Sequence, residues 1–215
     1  MKSRNCARCG KNPRMEGIGH CRQCLCAVIE KRAKREIASA RSKRSYRSCY
    51  RLAVVCDNKS SLPCITAAYL AKKLCGPACE VELIEMGDFK LPGKVPEKVP
   101  EAEKEKTLND AEDAAIIVPR CADDIAAEFM ERFISPKISP KPSQQPISTI
   151  NIFESVTEKE LELYADIKSL KYARTKENDL KQRIQKLQAR YPGTIEALAR
   201  SGKRIEGLGR DTGLK

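Results

Sequence analysis

Three short apolar runs in the middle of the chain constrain its fold more than any other feature. They span residues 51–56, 81–86 and 114–119, and residues 62–74 and about 123–134 have the composition and spacing of helices. Apolar strands that alternate with helices are typical of a parallel sheet covered on both faces. The sequence therefore predicts an α/β fold, in which ligands bind at the carboxyl ends of the strands.

Shifts in composition divide the chain into four segments. Residues 1–48 hold a cysteine-rich knuckle followed by a basic helix, and residues 49–134 hold the predicted α/β domain. A linker is predicted at residues 135–149, because the four prolines between positions 136 and 146 forbid a helix or a central strand. Residues 150–215 are predicted to form a mostly helical C-terminal region.

Two C-x2-C pairs near the N-terminus carry the strongest chemical signal. Each pair fits a tight turn that points two sulfur atoms at one place, and together the pairs supply the four thiolates that a structural zinc ion prefers. The four cysteines are Cys6, Cys9, Cys21 and Cys24. Iron bound by the same thiolates is the main alternative, and disulfides are not expected here. Cys26 and His20 are further ligand types beside the set, although the adjacency of His20 to Cys21 makes a shared tetrahedron awkward.

The net charge of +12 lies entirely in the first quarter of the chain. Residues 1–51 hold 15 Lys/Arg and 3 Asp/Glu, whereas residues 52–215 hold 26 of each sign. A polyanion that binds the N-terminal segment would explain this distribution, and nucleic acid is the partner that we expect. A basic segment that only aids solubility is the alternative.

A helix is predicted from Leu25 onward, because the following residues lack Pro and Gly. It has a thin apolar stripe at Cys24, Val28, Ala33 and Ile37. Its other faces carry seven cations, which are Lys31, Arg32, Lys34, Arg35, Arg41, Lys43 and Arg44. Such a helix could follow a phosphate backbone, although a helix that merely packs beside the domain would show the same pattern.

No apolar stretch approaches the roughly 18 residues that a membrane span needs, and no apolar segment precedes the first cysteine. We therefore expect neither a membrane span nor a secretory signal. Eleven cysteines in such a chain indicate a reducing compartment, so we expect the protein in the cytoplasm.

The residues after the first strand resemble a known family, the ATP-pyrophosphatase (PP-loop) enzymes that 2-thiolate tRNA. In that family a zinc knuckle and a helix precede the first strand, which ends in a Ser-Gly-Gly-x-Asp-Ser loop. This chain has Cys56, Asp57, Asn58, Lys59, Ser60 and Ser61 at the matching place. Residues 120–124 are similar to the family's Gly-His-Asn-x-Asp-Asp segment and keep the two aspartates, Asp123 and Asp124. Residues 153–164 and 191–194 resemble its C-terminal region.

The resemblance implies a specific form of the α/β fold. It is a parallel sheet of the PP-loop type, which is shared with the adenine nucleotide alpha-hydrolases. An N-terminal zinc knuckle precedes this sheet, and a helical C-terminal region follows it.

Departures from the family's motifs bear on activity. Asp57 stands at the first glycine position, where a backbone N–H group should approach pyrophosphate, and Ser60 replaces the loop aspartate. The Asp57 carboxylate would face the phosphates of the nucleotide. Two unit charges about 4 Å apart repel by about 4 kcal/mol at an effective dielectric near 20, which would reduce the affinity for the nucleotide roughly a thousandfold. The family's paired active-site cysteines are missing too, because residues 88–113 contain none and none follows Cys121. We therefore expect a chain that is not an enzyme.

One branch of the family matches these departures. It is the non-catalytic subunit, here of archaeal type, that pairs with an active thiolase for 2-thiolation of the wobble uridine of tRNA. The resemblance implies that the chain binds tRNA and braces the catalytic PP-loop thiolase. A ubiquitin-like sulfur carrier would be a further partner through the complex, and structural Zn²⁺ would be the cofactor.

Two other functions stay open at this point. The first is a thiolation enzyme with an unusual site built from Cys56, Cys64 and Cys121, whose thiols could carry sulfur. Cysteines in apolar strands are, however, often buried and inert. The second is a free-standing zinc-ribbon nucleic-acid-binding protein, which would explain residues 1–48 and leave the rest of the chain without a role.

Overall fold

The computed structural model describes residues 5–11, 15, 18–43, 51–76, 79–87, 114–134, 149–174 and 178–211. Most of the predicted linker, at 135–148, lies outside the described residues. Of the predicted basic residues, Arg44 lies outside them, and the side chains of Arg41 and Lys43 are not described either. No helix in the described part of the chain is long and apolar enough to cross a membrane.

In the part of the chain that the structure describes, four parallel strands form one sheet, which confirms the predicted fold class. They are β1 (Arg51–Cys56), β2 (Glu80–Glu85), β3 (Ala114–Ile117) and β4 (Thr149–Ile150). Their order in the sheet is β2-β1-β3-β4, so β1 is central and Val54 pairs with Leu83 on one side and Ile117 on the other. The sequence did not indicate β4, because only two residues of it pair with β3.

Six helices complete the described fold. They are α1 (Arg22–Lys43), α2 (Leu62–Cys75), α3 (Ala122–Ile134), α4 (Glu158–Ile167), α5 (Asp179–Arg190) and α6 (Thr194–Asp211). The predictions for α2 and α3 are confirmed to within about a residue at each end. Helix α1 begins three residues earlier than predicted, because the carbonyl of Cys21 accepts the N–H of Leu25 and closes the first turn.

The sheet and three helices share the larger of two cores. Central strand β1 is buried on both faces, as its continuous apolar run predicts, and α1, α2 and α4 share a core with Leu52 and Val54 on one of these faces. Helix α1 contributes a stripe of four buried side chains, which are Leu25, Ile29, Ala33 and Ile37.

The observed stripe on α1 corrects the predicted one. Steps of four residues back from Ile37 lead to Ala33, Ile29 and Leu25, so the large apolar side chains align on one face. Cys24 and Val28, which the sequence placed in the stripe, are only half-buried. Cys24 instead contributes its sulfur to the cysteine cluster at the N-terminus of the helix.

The smaller core joins α3, α5 and α6. Its buried members are mainly small residues of α3 together with Ile184 of α5 and Ile195 of α6. Gly202 of α6 lies close to α3, because a Cβ atom there would stand 3.2 Å from the Cβ of Phe129. Small residues at this crossing therefore let the two helices come close together.

A carboxylate on α1 ties that helix to α2 and α4. Glu30 Oε1 accepts a hydrogen bond of 3.1 Å from the hydroxyl of Tyr164 and one of 2.6 Å from Nζ of Lys73. Nζ of Lys168 lies 3.6 Å from the same oxygen and stands over the Tyr164 ring. Burial raises the pKa of Glu30, but the hydrogen bonds from Lys73 and Tyr164 outweigh it and hold the pKa below its usual value. Burial, together with the Glu30 charge, raises the pKa of the Tyr164 hydroxyl.

We predict that Tyr164→Phe lowers the free energy of unfolding by about 1.5–3 kcal/mol, the range for a hydrogen bond to a charged group. The ring is fully buried, so the substitution removes the hydroxyl and keeps the packing. Tyr191→Phe is the matched control, because that side chain is 66% exposed and its loss of a hydroxyl should cost less than about 0.5 kcal/mol. Urea unfolding at pH 7 measures both, and equal effects would contradict the role of Glu30.

Candidate metal centre and nucleotide loop

The four cysteines predicted to bind metal come together at the N-terminus of α1. Their sulfur atoms all lie within 4.8 Å of one another, and the sulfurs of Cys9 and Cys21 are 3.9 Å apart. Four sulfurs at about 2.3 Å from one tetrahedral zinc ion would be about 3.8 Å apart, so the arrangement fits that ion. The set contains no carboxylate or imidazole, which also suits a thiophilic metal.

Backbone turns position the two halves of this cysteine cluster. The N–H of Gly10 donates to the carbonyl of Cys6 at 2.9 Å, and Gly10 takes a left-handed φ of 67°, which glycine adopts without strain. The N–H of Ala7 donates to the carbonyl of Gly19 at 2.8 Å and ties the first turn to the second. Cys21 closes the first turn of α1, so the partial positive charge of the helix N-terminus faces the sulfurs.

The ionisation of the cysteine cluster is uneven. Backbone N–H groups near Cys6, that of Cys9 first, favour its thiolate and lower its pKa to about 5 despite burial. Burial and hydrogen bonds with the neighbouring sulfurs raise the pKa of Cys24 to about 12. Four sulfurs this close cannot all carry a charge without a cation between them, and metal binding would release the remaining protons.

The two spare ligand types are not among the four metal ligands, although a side-chain hydrogen bond between His20 and Cys6 helps to lower the pKa of that thiol. Cys26 is buried in the larger core on the other side of α1. The buried Nδ1 atom of His20 makes no hydrogen bond to the described residues, and His20 is not among the four residues whose ligand atoms meet. The structure therefore brings together the four cysteines as the ligand set, with His20 beside Cys6.

The cations of α1 take two different roles. Lys31, Lys34 and Arg35 are exposed, and Arg35 also contacts the neighbouring Glu36. Arg32 instead donates to the carbonyl of Ser155 at 2.7 Å and lies 3.5 Å from Glu160. Arg32 therefore helps to hold α1 against the N-terminus of α4, and it is less available to a ligand than sequence position alone indicates.

The loop after β1 stands at the position of a nucleotide site. The chain leaves β1 for β2 on one side of the sheet and returns to β3 on the other, so the carboxyl end of β1 is the topological switch point. The predicted loop, from Cys56 to Ser61, connects this point to the N-terminus of α2. The chain thus keeps the location at which this class of sheet binds a ligand.

Two backbone N–H groups of this loop form hydrogen bonds within the loop. The N–H of Ser60 donates to the side chain of Asn58 at 2.8 Å, and the N–H of Ser61 donates to the carbonyl of Asn58 at 3.0 Å. The carbonyl of Ser60 accepts the N–H of Ala173 at 2.7 Å. A phosphate-binding loop offers such N–H groups to the anion, so their use within the loop removes donors from a ligand.

Two further features distinguish this loop from one that cradles phosphate. None of residues 57–61 has a positive φ, so the backbone does not take the conformations that glycines permit. Pro63 stands in the first turn of α2 and has no N–H to offer at that helix terminus. The exposed carboxylate of Asp57 adds a negative charge beside the loop.

Cys56 and Cys64 form a disulfide across the loop, with their Cα atoms 6.1 Å apart. The sequence did not indicate this pair, because reduced thiols were expected throughout the chain. The bond joins the end of β1 to the first turn of α2, on either side of the loop.

A cluster of charged side chains surrounds the N-terminus of α3 and contains both predicted aspartates. Asp124 Oδ2 accepts hydrogen bonds from the N–H and from the thiol of Cys121, each at 2.9 Å. Its other oxygen pairs with Lys181 of α5. Asp123 Oδ2 accepts the N–H of Glu158 at 2.7 Å, at the first residue of α4. The two aspartates therefore connect α3 to α4 and α5.

Burial dominates the titration of this cluster. It raises the pKa values of Asp123 and Glu158, and it raises the pKa of the Cys121 thiol well above its usual value. Asp124 is the exception, because Lys181 and the hydrogen bonds from Cys121 outweigh burial and lower its pKa. Burial lowers the pKa of Lys181, but Asp124 outweighs it and raises that pKa. Sequence reasoning missed Lys181 and Glu158, since nothing local in the sequence relates them to Asp124.

The sheet order, the loop position and the N-terminal cysteine cluster together define an α/β protein with the PP-loop type of fold. Among solved structures, the chain is similar to the U34-tRNA thiolase NcsA from Methanococcus maripaludis, determined with its [4Fe-4S] cluster. The match has a TM-score of 0.66 at 16% sequence identity and covers 95% of this chain and 89% of that one. No protein-family profile and no curated protein matches the sequence.

We predict that Lys181→Met lowers the free energy of unfolding at pH 7 by about 2–3 kcal/mol. This is less than the roughly 3–5 kcal/mol for breaking a fully buried ion pair, because both side chains keep some exposure. The depressed pKa of Asp124 contributes stability above its unfolded value near 3.9, and that contribution is lost as pH falls through the folded pKa. The difference between wild type and variant should therefore shrink between pH 5 and pH 3.

The matched control for this substitution is Lys186→Met, which lies on the exposed side of the same helix. We expect a change of less than about 0.5 kcal/mol in its free energy of unfolding at each pH. Urea titrations of the three proteins at pH 7, 5 and 3 give the comparison. A Lys181→Met effect that stayed constant with pH would contradict an ion pair with Asp124.

Proposed function

We propose that this chain is a non-catalytic, tRNA-binding and scaffolding subunit that pairs with a PP-loop thiolase for 2-thiolation of the tRNA wobble uridine. A likeness in fold to a tRNA thiolase supports the class of reaction. The observation that carries the non-catalytic part is the loop after β1. It lies at the nucleotide position of the sheet, yet the N–H groups of Ser60 and Ser61 donate hydrogen bonds to Asn58.

An adenylating enzyme needs the loop to stabilise the charge on pyrophosphate. Each donor that a site of this kind loses reduces turnover by about a hundredfold to a thousandfold. Here the glycines are missing, Asp57 adds charge of the wrong sign, and Pro63 removes a donor from α2. These losses act together, so we infer that the chain does not adenylate RNA.

The cysteines support the same inference. The alternative enzyme would use Cys56, Cys64 and Cys121 to carry sulfur. Cys56 and Cys64 are buried, and burial raises the pKa of Cys121 so that its thiolate is disfavoured. A thiol is a poor nucleophile, and sulfur transfer requires the thiolate.

A free-standing zinc ribbon is disfavoured by packing. The stripe from Leu25 to Ile37 lies in the same core as β1, and Glu30 binds Tyr164 and Lys73. The knuckle and α1 are therefore built onto the α/β fold. We infer that the basic helix acts as part of the α/β fold, and that it presents its cations to tRNA from a fixed position.

We propose zinc as the structural ion of the cysteine cluster. One ion accounts for four sulfurs within 4.8 Å, whereas a four-iron cluster carries its ligands on separate iron atoms and holds them farther apart. The neighbour contains a [4Fe-4S] cluster, so iron in these thiolates is the alternative that metal analysis decides. When bound, zinc would stabilise the turns that carry the cysteines.

The catalytic PP-loop thiolase is the proposed protein partner, and a ubiquitin-like sulfur carrier would reach the complex through it. Phe133 and Ile134 at the end of α3 are 74% and 61% exposed, and large apolar side chains of this kind are suited to a protein interface. We expect the complex in the cytoplasm, where tRNA is modified.

We predict that the purified chain carries about one zinc ion and that Cys6→Ser with Cys21→Ser abolishes it. These substitutions remove one ligand from each C-x2-C pair, and two thiolates are too few for a closed structural site. Cys26→Ala is the control, because this buried cysteine lies outside the cluster and its loss should leave the zinc content unchanged. Elemental analysis of protein purified without oxygen gives the metal. Iron and sulfide in place of zinc would contradict the assignment.

We predict that the chain alone neither binds ATP at micromolar affinity nor thiolates tRNA, and that it is recovered from its native cell with a PP-loop thiolase and tRNA. Titration calorimetry with ATP and Mg²⁺ tests the loop, with the recovered thiolase as the positive control. ATP binding by the isolated chain would overturn the non-catalytic assignment and support the cysteine-based enzyme. Recovery without a thiolase would overturn the scaffolding role.

A further inference from the structure

Helices α5 and α6 carry a second concentration of positive charge, far from α1 in sequence. Residues 179–211 hold eight Lys/Arg and four Asp/Glu, a balance of +4. Residues 52–215 as a whole balance to zero, so the total hides this local excess. The surface of these two helices is therefore a candidate for a polyanion in its own right.

The cations of α5 lie on one face. Arg183, Lys186 and Arg190 follow each other at intervals of three and four residues, which places them along one side of a helix. All three are exposed, whereas Ile184 faces the core shared with α3 and α6. Lys181 binds Asp124, so the orientation of the helix is held from its inner side.

These three cations differ from those that hold the helices together. Lys73, Arg120, Arg132 and Lys181 each pair with a carboxylate. Within the described part of the chain, no acidic side chain forms an ion pair with Arg183, Lys186 or Arg190. A row of cations without such pairs complements the regular negative charge of a nucleic acid backbone.

An exposed aromatic ring ends this row. Tyr191 directly follows Arg190, and its side chain is 66% exposed. Its backbone is fixed, since its N–H donates to the carbonyl of Leu187 at 2.7 Å and its carbonyl accepts the hydroxyl of Thr194 at 2.6 Å. Gly193, with a φ of 97°, completes the turn into α6. A ring held in this way beside cations is the arrangement on which unpaired nucleobases stack.

We propose that Arg183, Lys186, Arg190 and Tyr191 form a second RNA-binding surface, which takes an unpaired segment of the RNA. The three cations contact successive phosphates, and the ring of Tyr191 stacks on a base. This inference rests on the proposed tRNA role, and it specifies which part of the RNA this surface binds. The exposed face of α1 has no aromatic residue, so α1 contacts the backbone alone.

The two surfaces differ in how binding should respond to substitution. Loss of a phosphate contact lowers the slope of log affinity against log salt by roughly 0.7–0.9. Loss of a stacked base weakens binding without changing that slope, by roughly fivefold to a hundredfold. The salt dependence therefore separates the cations from the ring.

The experiment titrates the full-length chain with an unmodified tRNA transcript and with a blunt RNA duplex of similar length, at several salt concentrations. Arg183→Ala with Lys186→Ala and Arg190→Ala should reduce the tRNA slope by about two to three. Tyr191→Ala should weaken tRNA binding with the slope unchanged and leave duplex binding unaltered. Tyr191→Phe should bind as the wild type does, because it keeps the aromatic face. Thermal unfolding verifies that each variant is folded.

Two further triple variants serve as comparisons. Lys72→Ala with Lys159→Ala and Lys171→Ala removes the same charge from scattered exposed positions and should leave the slope nearly unchanged. Lys31→Ala with Lys34→Ala and Arg35→Ala tests the proposed surface of α1 and spares Arg32, which holds that helix in place.

The outcomes distinguish this inference from the function on which it rests. Absence of tRNA binding by the wild type would overturn both. Binding that depends on α1 and is unaffected by the substitutions on α5 and Tyr191 would overturn the second surface alone. A Tyr191→Ala effect equal for tRNA and duplex would overturn the assignment to an unpaired segment. Loss of the thiolase from the α5 variants with tRNA affinity intact would make this face a protein interface instead.

Discussion

Leu25, Ile29, Ala33 and Ile37 are buried in the core that also contains β1, and this packing sets the position of everything at the N-terminal end of the chain. Burial of a Leu or Ile side chain contributes about 1.5–3 kcal/mol, so the three large members of the stripe hold α1 firmly on the sheet. The cysteine cluster lies at the start of that helix and the exposed cations lie on its opposite side. Both are therefore carried in fixed positions relative to the loop after β1.

The sheet of this chain has the switch point at which sheets of this kind bind ligands, and the loop there forms hydrogen bonds within itself. A parallel sheet brings the carboxyl ends of β1 and β3 together whatever the loop contains, because strand order and crossovers decide it. The loop itself follows its own residues, and Asn58 takes up the N–H groups that a phosphate would otherwise receive. The fold alone therefore does not establish catalysis.

The polar cluster at the N-terminus of α3 gives the two aspartates a structural explanation. Asp123 and Asp124 look catalytic in a motif, because paired carboxylates often are. In this chain their oxygens are occupied by Cys121, the N–H of Glu158 and Lys181. They connect three helices that lie far apart in sequence, and the chain would need them for folding even without a reaction to perform.

The local signals of the sequence determined much of this protein. The apolar runs predicted β1, β2 and β3, the C-x2-C spacing predicted which four cysteines meet, and the segregation of charge predicted an exposed basic helix. Each of these depends on neighbours within a few residues, which a sequence displays directly. The two-residue strand β4 was missed, because so short a strand exists only through its pairing with β3.

Only the tertiary structure decided which residues are engaged and which are available. Arg32 and Lys34 look alike in the sequence, but the first binds Ser155 and the second is exposed. Lys181 and Lys186 lie on one helix, yet one faces Asp124 and the other faces outward. The pairing of Cys56 with Cys64 likewise depends on how the chain folds back over its loop. Such distinctions arise from contacts between distant segments, and a side chain's partner across a core is a property of the packing, which no local pattern encodes.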